Sequence, residues 1–110
     1  MAYDEHLAAR IRDLLHGTRG VTEKRMFGGL AFLLHGNMAV AASGKGGVLV
    51  RVDPDEFGAL LKKPHVGRMV MGGRSMTGWL RVDDEGVRTK RQLESWVKRG
   101  VTYASSLPRK

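Results

Sequence analysis

Between residues 22 and 52 the chain runs through four short alternating segments, EKRMF, LAFLLH, MAVAAS and VLVRV, set apart by GG, GN and GKGG. A period of two belongs to extended strands, and short glycine-rich breaks make hairpin connections rather than crossovers. This stretch therefore commits the chain to an antiparallel sheet, which we count as three hairpin-linked strands. Gly36-Asn37 is the expected two-residue turn of one hairpin, with glycine at the position that needs positive φ.

Helical periodicity brackets the sheet. Residues 4 to 16 place Leu7, Ile11, Leu14 and Leu15 on one stripe, with Asp4 as N-cap and Gly17 beyond the end. In VDPDEF, Asp53 caps, Pro54 fits the first helical position and Glu56 completes a capping box ahead of Phe57, Leu60 and Leu61. Lys62 and Lys63 oppose the dipole of that helix and Pro64 stops it. GRMVMGG and MTGWLRV read as two further strands, with DDEG turning out of the second. Thr89 and Gln92 form another capping box, opening a helix whose apolar positions Leu93, Trp96, Val97, Val101 and Ala104 recur until Pro108. The reading is one α+β domain over 1–110, with three helices on a mainly antiparallel five-stranded sheet in the order α-β3-α-β2-α.

The strands have unequal faces. Leu30, Phe32 and Leu34 oppose Ala31 and Leu33, and Met38, Val40 and Ala42 oppose Ala39 and Ala41. Large residues on one side mark the core. Small residues on the other would let a helix or a second subunit approach closely, and a homodimer is expected.

Reactive chemistry finds no pattern to rest on. Gly28-Gly29 precedes a strand, whereas a phosphate loop joins a strand to a helix N-terminus, so these glycines read as a turn or bulge; GGRSMTG reads the same way. His6, His16, His35 and His65 have no metal-ligand spacing, and no serine sits in a nucleophile elbow. Capping and turn formation account for Asp53, Asp55 and Glu56 and for Asp83, Asp84 and Glu85. The methionines read as core filling. No catalytic, cofactor-binding or metal-binding residue is assigned, and no enzyme is expected.

Charge is the strongest compositional signal: the formal net charge is +8 and the pI about 10.5. Such a chain favours acidic partners. Arg88, Lys90, Arg91, Lys98 and Arg99 make the region around the last helix the candidate nucleic-acid contact, although Glu94 lies four residues from both Lys90 and Lys98, in the pattern of an ion-paired solvent face. The N-terminal residues carry charges throughout and hold neither a signal-peptide core nor an apolar run that would span a membrane. The cytoplasm is the expected location, with no membrane partner.

KRMFGGLAFLLHGNMAV resembles the TfoX N-terminal domain family, in which a basic pair, Met-Phe-Gly-Gly, an apolar strand, a glycine turn and Met-Ala recur in this order. VLVRV, GRSMTGWLRV and WVKRGVTYASSLPRK extend the resemblance over nearly the whole chain. It implies an α+β domain of secretion-chaperone-like architecture, often dimeric, in proteins that regulate transformation competence with a transcription activator as protein partner. Arg25, Met26, Phe27, Gly28, Gly29, Gly36 and Met38 match the signature, and all read as structural. The sequence ends after Pro108 without the second helical domain of full-length competence regulators, so a stand-alone regulatory module is expected.

Overall fold

The computed structural model describes residues 4–26, 28–71 and 73–109. Helix α1 (Glu5–Leu14) leads into β1 (Val21–Met26), β2 (Gly29–Leu34), β3 (Asn37–Ala42) and β4 (Val48–Arg51). Helix α2 (Pro54–Leu60) follows, then β5 (Val66–Met71) and β6 (Arg74–Val82). A 3₁₀ turn (Asp84–Val87) leads to α3 (Lys90–Ser105). The strands form one sheet in the order β1-β2-β3-β4-β6-β5, each pair antiparallel.

The α+β class and the three helices stand, but the sheet has six strands rather than five, and four of them precede α2. Each alternating segment before α2 is a strand of its own. VTEKRM, mostly exposed, pairs along its length with β2 as an edge strand.

Asp4 caps α1, its carboxylate accepting from the amides of His6 and Leu7. The Thr89–Gln92 capping box of α3 forms as read. The box expected at α2 does not: Asp53 accepts from the Asp55 amide at 2.9 Å, and the Glu56 side chain points instead to Arg99. The first β-turn after β2 also shifts by one residue. His35 and Gly36 both have positive φ, 51° and 86°, as a type I′ turn requires. Asn37 therefore belongs to β3, where its buried amide donates to the Pro108 carbonyl at 2.8 Å and ties down the chain after α3.

All three helices pack on one face of the sheet. Ile11, Phe57, Leu93, Trp96 and Val97 meet Phe32, Val40, Val48, Val50, Leu80 and Val82 there. The opposite face carries a smaller cluster in which Ala31, Met38, Ala41, Leu49 and Met69 are buried beside Met26, Leu33 and Trp79. Met38 was expected on the face of Val40 and Ala42. A bulge moves it: Phe32 pairs with Val40 but Leu33 with Met38, so Ala39 is the extra residue and the faces exchange beyond it. Ala39 turns to α3, where it packs with Leu34 and Ala104.

The signature glycines are backbone devices of two kinds. Gly28 takes φ +73° in the turn between β1 and β2, and open space surrounds it. Gly29 is extended, but a Cβ there would drive into the Ala42 carbonyl oxygen across the strand pair. Phe27 lies outside the described residues. At the sheet edge, Arg12 of α1 grips Glu23 of β1 through two bonds of 2.6 and 2.8 Å, and this hydrogen bond holds the Glu23 carboxyl below its usual range.

Two predictions follow from these contacts. Gly29→Ala costs about 1–3 kcal/mol because backbone meets the new Cβ, and Gly29→Asn is no better. Gly28→Ala costs roughly 1 kcal/mol, much of it recovered by Gly28→Asn, which tolerates left-handed φ; urea unfolding of the four variants distinguishes the two mechanisms. Glu23→Gln, at a largely solvated pair, loses about 0.2–1 kcal/mol at neutral pH. Because folding depresses this carboxyl, the contribution is present above the ordinary carboxylate range and fades as pH falls through the folded value. Unfolding midpoints of parent and variant should accordingly converge in acid.

Candidate functional site

Helix α3 buries Leu93, Trp96, Val97, Gly100 and Ala104 and turns its other side outward. Along that side two adjoining cavities form a groove. One, of about 560 Å³, lies between α3 and the start of α2, lined by Asp53, Glu56, Lys98, Arg99, Thr102 and Tyr103 among others. The other, of about 330 Å³, lies between α3 and the turn after α2, with Lys63, His65, Arg91, Gln92 and Trp96 in its walls. Ser95 and Arg99 line both.

Arg99 is the centre of this groove. Its guanidinium lies 5.5 Å from the Trp96 ring centroid, within cation–π range, and its Nη1 is 3.9 Å from Glu56 Oε1. Its Nε is buried and has no hydrogen-bond partner. A buried donor left unmet costs on the order of 1–3 kcal/mol, so the fold carries this nitrogen at a loss. Near the far end, Arg51 of β4 stands 5.5 Å from the Trp79 ring and 5.7 Å from that of Tyr103.

The five basic residues singled out in the sequence do not form one strip. Arg91, Lys98 and Arg99 line the groove. Lys90 lines a separate hollow toward α1 with Arg10, Asp13 and Leu14. Arg88 is exposed beyond the 3₁₀ turn, 3.4 Å from Glu85, and its carbonyl accepts from Arg10. The expected pairing of Glu94 with Lys90 and Lys98 is not made, and among the described residues both lysines are without an ion pair.

Sequence reasoning missed Lys63 and His65. Lys63 reads locally as a helix-end charge, and only the tertiary fold lays it against α3. His65 has φ 67°, its carbonyl accepts from the Asp83 amide at 3.0 Å, and its Nδ1 lies 3.2 Å from Asp83 Oδ1. That left-handed residue after a proline is the one local sign of a specially held turn. Among the described residues no cluster of three or more His, Asp or Glu is placed to hold a metal ion, and no helix is long and apolar enough to cross a membrane.

Fold and site together define an α+β domain whose antiparallel sheet is covered by helices on one face and whose last helix carries an open, charged groove. The chain belongs to the TfoX N-terminal domain family, whose model matches residues 13–104. No curated protein and no solved structure is significantly similar to it.

Replacing the guanidinium with an apolar chain tests whether Arg99 serves the fold. Arg99→Met removes an unmet buried donor and should be as stable as the parent or up to about 1 kcal/mol more so in urea unfolding. A loss larger than that would make Arg99 a structural residue.

Proposed function

We propose that the protein is a small regulatory module that acts by binding another protein, and that its family ties it to the control of transcription, including that of competence. The groove along α3 is the docking surface. The observation that carries this reading is the mixed character of its larger half: Asp53 and Glu56 face Lys98 and Arg99 beside Thr102 and Tyr103. A polypeptide segment offers both charge signs and backbone polar groups to such a surface. A nucleic-acid backbone offers only negative charge, which Asp53 and Glu56 repel.

Direct nucleic-acid contact is the second reading, favoured by the net charge of +8 and by Lys90, Arg91 and Lys98, which are without ion pairs among the described residues. The two readings differ in salt dependence. With the parent protein, titration of duplex DNA at low salt should give no saturable binding, while a Lys98→Glu, Arg99→Glu double variant that folds normally should lose a protein partner retained by the parent. Tight DNA binding that weakens steeply with salt, and that disappears on reversing Arg91, Lys98 and Arg99, would establish the second reading instead.

A further inference from the structure

The smaller half of the groove has a different chemistry from the larger. Its charged lining residues are Lys63, Arg91 and Arg99, with His65 beside them, and no carboxylate is among the residues that line it. Three fixed positive charges are thus gathered from two segments of chain, the turn after α2 and the first half of α3.

Little of this charge is paired within the fold. Among the described residues Lys63 and Arg91 make no ion pair. Arg99 has one long ion contact, to Glu56, and its guanidinium lies within cation–π range of the Trp96 ring. Neutral donors stand with them: the Gln92 carbonyl oxygen accepts from the Thr89 amide at 2.9 Å within the capping box, which fixes the side chain and leaves its amino group uncommitted. The wall opposite α3 is held in place as well. A Cβ on Gly86 would come within 2.9 Å of His65 Cβ, and the His65 backbone is bonded to Asp83.

Cationic and neutral donors that line one cavity with no carboxylate among its lining residues suit a compact anion that presents several oxygens at once. A guanidinium matches two such oxygens in a fork, and an ammonium adds a point charge. We propose that the Lys63–His65 turn and the start of α3 form a binding site for a phosphate group, held by Lys63, Arg91 and Arg99. The group is either free phosphate or the phosphate of a small ester. The volume of about 330 Å³ accommodates a small molecule, and the open mouth leaves room for an ester substituent. This site does not depend on the docking reading above, because it needs no protein partner.

The test is a titration of the full chain with inorganic phosphate at constant ionic strength, followed by amide shifts in ¹H–¹⁵N NMR. Saturable shifts at Gln92, Ser95 and Arg99 are expected, weakened about tenfold by Arg91→Gln and by Arg99→Gln, the loss of one charge-assisted contact each. Arg91 is exposed, so its variant tests the site without burdening the fold. Lys62→Gln removes the same charge one residue away from the cavity lining and should leave affinity unchanged. Glycerol phosphate distinguishes the source: binding at least as tight as phosphate assigns an ester, and exclusion assigns the free ion. Absence of saturation, equal weakening by Lys62→Gln, or acetate binding as tightly as phosphate would overturn the proposal.

Discussion

Helix α3 rests on the backbone of the sheet, and the rest of the arrangement depends on that approach. A Cβ at Gly100 would lie 2.5 Å from the Ala39 carbonyl oxygen and 3.3 Å from Val50 Cγ1. With hydrogen there, the helix settles low enough for Leu93, Trp96 and Val97 to reach the core formed by Val48, Val50 and Leu80. Burying one such side chain stabilises the fold by about 1.5–3 kcal/mol, far more than the roughly 1 kcal/mol a mid-helix glycine costs. The same low seat brings Arg99 and Tyr103 down beside α2 and β4, which makes a groove where a higher helix would leave a ridge.

The bulge in β3 serves this seat. Regular alternation would leave Ala39 on the face away from α3, with the larger Met38 toward it; the extra residue exchanges them. Ala39 then meets Gly100 and Ala104, small against small, while Met38 joins Ala31, Ala41 and Leu49 on the other side. Two alternatives were open for the small strand residues, cover by a helix or by a second subunit. For Ala39 the cover is α3. Ala31 and Ala41 are sealed within the chain by the larger side chains around them.

What the sequence made legible was whatever depends on neighbours along the chain. The Asp4 cap, the Thr89–Gln92 box, the stripe of α3 and the hairpin glycines all follow from spacings of four residues or fewer. The strands before α2 were undercounted although EKRMF stood among the alternating segments, because VTEKRM, a mostly exposed edge strand, has little apolar signal to confirm it. The bulge was hidden because MAVAAS alternates smoothly whichever residue is extra; the choice is made by β2 and α3. Glu56 fits the local pattern of a capping box, yet a long-range cation takes its side chain. For the same reason the candidate site was half visible: the bases of α3 can be counted, but Lys63 and His65 join them only through the fold.

The distribution of charge explains why the groove has two characters. Among the described basic residues, Arg12 is bound to Glu23 and Arg88 lies beside Glu85, so these cations are matched at the surface. Around α3 the matching is incomplete. Asp53 spends an oxygen on the α2 cap, and Asp83 accepts from the 3₁₀ turn while lying beside His65. Glu56 reaches Arg99 only at 3.9 Å, so with Asp83 at His65 the groove is neutralised in part. A fold that uses its carboxylates as caps leaves its cations facing outward, and at Arg99 it buries a donor with no acceptor. An apolar side chain there would remove that unmet donor, so what Arg99 offers a ligand is the exposed part of its guanidinium, with the side chain 31% exposed.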